Sequence, residues 1–308
     1  MVSLVDRWGR KLENLRVSVT SECNYRCIYC HREGLLNRGY GLSAEEYRVI
    51  AIVASSLGIS EFKLTGGEPL ARRDIVDVVK AFSETKPRDL SMTTNGYWLE
   101  FYVEKLAEAG LMRINVSIPS LNREKYRYVT GIDALDKVVS SLRKAQEVGL
   151  NPITINVVIL NGINDDEYKN FIDFVSTHGY KLRFIELEPI SIPKHIFDKL
   201  YKPIDDIVKY LESISIRKYF RSLHHRPVYV LNTGNEVEIV KWTHNTVFCM
   251  YCNRIRLTAD GILTPCIMAT KGVDLKPFLR PKPNLDEIKK AFVKVNEMRL
   301  PFNIALKK

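Results

Sequence analysis

The sequence predicts an α/β protein: a partial (β/α)6 barrel or doubly wound parallel sheet, followed by a smaller β-rich α+β region. Three observations carry this. Six short runs rich in Val and Ile alternate with amphipathic runs between residues 15 and 187. The apolar runs mostly stop at a polar residue or glycine, as strands buried on both faces do. After Pro203 the alternation ends and β-rich segments take over. Six units are too few to close an eight-stranded barrel, and in either architecture functional residues belong at the C-terminal ends of the strands.

The predicted strands are LRVSVT (15–20), EFKLT (61–65), LSMTT (90–94), MRINVSI (112–118), ITINVVI (153–159) and KLRFIEL (181–187). Between them, Ser43 with Glu46 three residues on makes a capping box ahead of YRVIAIVASSL. Asp74 opens the next helix, Asp133 lies near the start of ALDKVVSSLRKAQEV, and a further helix follows Asn164. Beyond residue 200 come the helix IDDIVKYLES, then SISIRKYF, PVYVLN, EVEIVKW and RIRLTADGILTPCI as strands. The Asp260-Gly261 pair is a hairpin signal. A last helix starts behind Asn284, with Glu287 three positions on. The expected division is residues 1–200 and 201–308.

Lys and Arg total 46 against 36 Asp and Glu, a net charge of +10. That surplus suits an anionic partner (a nucleotide, nucleic acid or phosphorylated metabolite) or simply a soluble basic surface. The cations are scattered without a basic tail, which argues against a nucleic-acid arm. The first residues lack the apolar stretch of a secretory signal, and no run approaches the ~18 apolar residues of a membrane span. A cytoplasmic protein without a membrane partner is expected.

The cysteines say more. All six fall into two triads, Cys23/Cys27/Cys30 and Cys249/Cys252/Cys266, with none over. In a chain this large with no export signal, that pattern reads as two metal sites rather than a disulfide framework. Three thiolates leave one metal position open, the mark of a site that binds something further. Thiolate ligands select zinc or iron–sulfur, and full thiolate sites on [4Fe–4S] clusters use four cysteines. For the first triad the competing reading is a zinc loop with His31 as fourth ligand. For the second it is a zinc ribbon or a purely structural cluster.

CNYRCIYC carries the C-x3-C-x-Φ-C signature, Φ being the aromatic Tyr29, and so resembles the radical S-adenosylmethionine (SAM) enzymes. LTGGEPL (64–70) resembles the glycine-rich motif of that superfamily. With DRWGRKLENLRVSVT, TTNGYWL, RINVSI, VTGIDA, LRFIE and CNRIRLTADG…PC in the same order, nearly the whole chain resembles the MoaA-type GTP 3′,8-cyclases, which open molybdenum cofactor biosynthesis.

The resemblance implies a partial barrel of the radical SAM type and two [4Fe–4S] clusters. One, on Cys23, Cys27 and Cys30, would chelate SAM. Once reduced by an external electron donor it would generate a 5′-deoxyadenosyl radical that takes the 3′ hydrogen of GTP. The other, on Cys249, Cys252 and Cys266, would hold the guanine. Tyr29, Gly66, Gly67, Glu68, Ser117 and Glu188 would line the SAM site. Arg16, Lys63, Thr93, Thr154, Arg254 and Arg256 would meet GTP, arginine offering bidentate bonds to phosphate oxygens. Arg254 and Arg256 alternate along a predicted strand and so share a face. The product would pass to a cyclic pyranopterin monophosphate synthase, and a homodimer is compatible with the family.

The chain also departs from the family. Lys63 and Thr154 replace an arginine and a lysine, Glu188 a methionine, and Pro119 an acidic residue. The ending NIALKK lacks the closing Gly-Gly of the family. Two rivals follow from the same residues. One is a radical SAM peptide-modifying enzyme with an auxiliary cluster, disfavoured by CNRIRLTADG and the short C-terminal region. The other is a zinc-stabilised nucleic-acid-binding protein, which iron and sulfide analysis distinguishes.

Overall fold

The computed structural model describes residues 3–32, 41–242 and 245–301. The ending NIALKK lies outside these. The first six strands form where the apolar runs predict: β1 (Asn14–Ser18), β2 (Glu61–Thr65), β3 (Asp89–Thr94), β4 (Arg113–Ser117), β5 (Ile153–Ile159) and β6 (Lys181–Glu186). All five neighbouring pairs are parallel. Each is joined to the next through helix: α1 (Ala44–Ser56), α2 (Ile75–Ser83), α3 (Leu99–Glu108), then α4 (Arg123–Thr130) with α5 (Leu135–Glu147), and α6 (Tyr168–His178). The Ser43 capping box forms with both bonds present, which contributes about 1 kcal/mol to starting α1.

After β6 come α7 (Lys194–Leu200), α8 (Asp205–Ile214), β7 (Ser215–Phe220), β8 (Pro227–Leu231), β9 (Glu236–Val240), α9 (Thr246–Met250), β10 (Arg254–Leu257), β11 (Ile262–Thr264), β12 (Val273–Asp274), α10 (Lys276–Leu279) and α11 (Leu285–Glu297). The later strands extend the same sheet, whose order is β12-β11-β10-β1-β2-β3-β4-β5-β6-β9-β8-β7. β10 adds parallel to β1 and β9 parallel to β6, so the six expected parallel strands gain one on each side. The turn at Asp260-Gly261 joins antiparallel β10 and β11 as expected.

The turn between β7 and β8 then crosses from one end of the sheet to the other. His224 N donates to Tyr251 O at 2.8 Å. The His224 ring stacks on Phe248 at 3.8 Å, and the His225 ring on Tyr251 at 4.6 Å. The turn beside β8 is thereby joined, by a backbone bond and two ring stacks, to the segment around α9 that leads into β10. The apolar core is continuous from Leu12 in the N-terminal segment through Phe62, Phe82 and Phe184 to Phe292 and Val295 in α11. Each such fully buried side chain contributes about 1.5–3 kcal/mol. Among the described residues no helix is long and apolar enough to cross a membrane.

Candidate active site

The C-terminal ends of the parallel strands open into a cavity of about 350 Å³ whose lining includes all six cysteines. None is in a disulfide. The first triad rides on the loop after β1, which is pinned from two sides. Arg26 N donates to Thr130 O and Ile28 N to Val129 O, both at 3.0 Å, at the end of α4. Tyr25 and Tyr126 share a buried hydroxyl–hydroxyl bond of 3.0 Å beneath it. On the other side Gly67 N donates to Thr20 O at 2.8 Å and Glu68 N to Glu22 O at 2.7 Å. A Cβ on Gly66 would overlap Thr20 O, and one on Gly67 would overlap Glu22 O. The close approach that these glycines permit is therefore to the backbone of the cysteine loop itself.

The second triad sits on α9 and the strand pair that follows. Cys252 N donates to Cys249 O at 3.1 Å, closing a tight knuckle, and Cys266 returns after β11. Arg254 and Arg256, on one face of β10, line the same cavity, and Arg254 Nε donates to Asn14 Oδ1 at 2.7 Å.

The donor set fits iron–sulfur clusters. Burial raises the Cys27 thiol to about 12, and Cys30 and Cys23 push the same way. Thiolates this close can ionise together only with cationic metal among them. Among the described residues no three His, Cys, Asp or Glu side chains converge on a single-ion position. A cube needs no such convergence, since each thiolate binds a different iron.

Every expected SAM-site residue (Tyr29, Gly66, Gly67, Glu68, Ser117 and Glu188) lines this cavity. Glu68 also organises it, accepting from Thr94 Oγ1 at 2.6 Å, Asn95 N at 2.7 Å and Leu70 N at 3.0 Å. Burial raises its carboxyl to about 7. Of the expected GTP residues, Arg16, Lys63, Thr93, Arg254 and Arg256 line the cavity, and Thr93 Oγ1 is buried with no hydrogen-bond partner among the described residues. Lys63 is held well below its ordinary value by burial and by Arg183, Arg113 and Arg16. Thr154 is placed elsewhere. It lines an adjoining cavity of about 390 Å³, on the side where β4, β5 and β6 begin. The two cavities share Arg113, Arg183, Arg221 and Ser222 in their walls.

The sequence reading missed the centre of that wall. Glu238 on β9 is buried and pairs with Arg183 at 2.7 Å, Arg226 at 2.9 Å and Arg221 at 3.4 Å. Three guanidiniums share one carboxylate, and burial lowers Arg226 to about 9 even so. Such stored positive charge suits a polyanion. Arg183 stands within LRFIE, but its partner lies across a parallel pairing that no local pattern announces. His224, also in the lining, is held well below its ordinary value by burial, then by Arg226, Arg254 and Arg256.

Comparisons with known proteins agree with this geometry. The profile of the radical SAM superfamily matches residues 17–175, and that described as Molybdenum Cofactor Synthesis C matches residues 180–301. A probable GTP 3′,8-cyclase of Saccharolobus islandicus is 44% identical over 271 residues, covering 88% of this chain and 87% of the relative. A probable GTP 3′,8-cyclase of Pyrococcus abyssi is 40% identical over 308 residues, covering 97% and 99%. Among solved structures, Streptococcus suis SuiB bound to S-adenosylmethionine is similar with a TM-score of 0.67 at 17% identity. The match covers 89% of this chain and 65% of SuiB, a likeness of fold.

Proposed function

Because the chain belongs to the radical SAM superfamily and, within it, to the GTP 3′,8-cyclases, we propose that it converts GTP to 3′,8-cyclo-7,8-dihydro-GTP, the first step of molybdenum cofactor biosynthesis. The observation that carries the reading is one cavity lined by both cysteine triads and backed by arginines. Cys23, Cys27 and Cys30 would hold the cluster that chelates SAM, and Cys249, Cys252 and Cys266 the one that meets the guanine. When bound, the first cluster and SAM supply the reductive chemistry that starts the reaction.

The chain's own part is binding, orientation and exclusion of water. Tyr29, Gly66, Gly67, Ser117 and Glu188 would shape the SAM pocket, with Glu68 opposite the ammonium group. Arg16, Lys63, Thr93, Arg254 and Arg256 would hold GTP, with the arginines taking phosphate oxygens. Thr154 would act in the adjoining cavity, beside Arg183. The division near residue 200 is read as one of labour, the first part serving SAM and the second the auxiliary cluster. An external electron donor, transfer of product to a cyclic pyranopterin monophosphate synthase, a homodimer and a cytoplasmic location belong to the same proposal.

Anaerobic reconstitution followed by incubation with GTP and SAM tests it. Mass analysis is expected to find the cyclised nucleotide, and iron analysis about eight irons per chain, two cubes of four. Intact GTP beside consumed SAM, or zinc in place of iron, would defeat the reading.

A further inference from the structure

Asp6 in the N-terminal segment is buried and collects an unusual set of donors. Its Oδ1 accepts from Trp8 N at 3.0 Å and Arg10 N at 2.9 Å. Its Oδ2 pairs with Arg10 at 2.7 Å and with Arg299, just beyond α11, at 3.2 Å. The side chains of Arg10 and Arg299 are 9% and 2% exposed, so all three groups are withdrawn from water. Both guanidiniums reach past the carboxylate to the cysteine knuckle. Arg10 Nη1 donates to Cys249 O at 2.7 Å, and Arg299 Nη2 donates to Cys252 O. Arg10 Nη2 also donates to Leu300 O at 2.8 Å.

Two cations on one carboxylate leave a net positive charge in a poorly screened place, bonded to the backbone of two of the three cysteines. The first triad's loop is held by backbone bonds to Thr130 and Val129 on one side and to Gly67 and Glu68 on the other, and stands within electrostatic reach of Glu68. Reduction adds negative charge to a cluster, so a nearby cation favours the reduced form and a nearby carboxylate opposes it.

We propose that Arg10 and Arg299, bridged by Asp6, are positioning residues of the second cluster that fix Cys249 and Cys252 and raise its reduction potential above that of the first. The proposal rests on the second triad holding a cluster. Its electrostatic consequence is separable from a simple brace, because removing a guanidinium and removing the carboxylate must move the potential in opposite directions.

The test is an anaerobic redox titration followed by electron paramagnetic resonance, on reconstituted protein carrying Cys23→Ala, Cys27→Ala and Cys30→Ala. That background reads the second cluster by itself. Arg10→Gln is expected to lower its midpoint by about 59 mV or more, the one-electron equivalent of a tenfold change in the equilibrium constant. Asp6→Asn is expected to raise it by a similar amount. Arg10→Lys, which keeps the charge but not the fork, is expected to stay closer to the parent than Arg10→Gln.

The parent with its first triad intact is expected to show a second, lower midpoint. Equal midpoints there, or shifts that are absent or of one sign, overturn the proposal. Should Arg10→Gln lose its iron, the sign of the Asp6→Asn shift decides. Loss of iron from all three variants marks a brace without electrostatic effect and also overturns it. A background protein with no iron at all removes the second cluster and the proposal together, whereas a cluster indifferent to these substitutions removes the proposal alone.

Discussion

Gly67 lies so close to Glu22 that a single methyl group at its α-carbon would overlap the Glu22 carbonyl oxygen, and the next residue, Glu68, bonds that same oxygen at 2.7 Å. The loop after β2 and the loop carrying Cys23 are thus one backbone-to-backbone unit. Gly67→Ala must push them apart, and rigid backbone on both sides leaves nowhere to go. We expect reconstituted Gly67→Ala to lose about half its iron, the first of two cubes, and to stop binding SAM. The second cluster is expected to remain. Iron analysis with equilibrium SAM binding checks this, and a full iron complement would show that the loop relaxes.

Replacing Cys249 separates the two halves of the site. Cys249→Ala is expected to abolish cyclisation of GTP by removing a ligand of the second cluster, while the first triad keeps its support from α4 and the loop after β2. Reductive cleavage of SAM should continue, detected as 5′-deoxyadenosine by chromatography. Complete loss of that product from a folded variant retaining the first cluster would mean the triads depend on one another.

Arg256 faces the cavity from β10, beside Arg254 and Arg16. A charge-assisted hydrogen bond contributes roughly 1.5–3 kcal/mol, so Arg256→Ala is expected to weaken GTP binding about ten- to a hundredfold while SAM binding holds. Thr154→Lys would add a cation to the adjoining cavity, beside the wall that Arg183 and Arg221 share with the main one. It should strengthen GTP binding or leave it unchanged. Equilibrium binding of GTP, GDP and guanosine measures both effects. Guanosine bound as tightly as GTP, with Arg256→Ala neutral, would remove the triphosphate from the argument.

Glu68 predicts a pH dependence with a definite sign. Its carboxyl is raised by burial to about 7 from an ordinary 4.5. The folded state therefore holds the proton after the unfolded state has released it. The stability from this group is fully present below about pH 4.5, falls as pH rises towards 7, and is level above that. Thermal unfolding of the protein without SAM should show the decline between pH 5 and 7, and Glu68→Gln should flatten it. An unchanged slope in Glu68→Gln would assign the dependence to another group.

The strands were legible where their burial is complete. EFKLT and ITINVVI are β2 and β5 to the residue, short segments bounded by polar residues or loops and almost wholly buried in a parallel sheet. The Ser43 capping box was equally plain, being local. The helices expected behind Asp74 and Asn164 both form, but the partners those two side chains take were not legible. Asp74 sits at the start of α2 but makes no cap; Arg72 takes its carboxylate at 2.7 Å. Asn164, expected to precede a helix, is wholly buried and donates to Pro119 O at 2.6 Å and Val158 O at 2.8 Å, plugging the end of β5. Helix α4 was overlooked although Asn122 caps it and Gly131 ends it in the left-handed region, both readable signals. The cysteines were legible because metal ligands cluster in sequence. The Glu238 group was not, since its arginines come from β6 and from the turn before β8 and meet only in the folded sheet.

The bridge through Asp6 also sets a timetable. The bonds that pin the first cysteine loop need nothing beyond residue 131. The second knuckle waits for Arg299, which must find the carboxylate of Asp6, made far earlier. Since N-terminal parts of a chain fold first during synthesis, the two cysteine triads mature at different moments. The machinery that delivers iron and sulfide to a nascent chain would therefore find one nest ready long before the other.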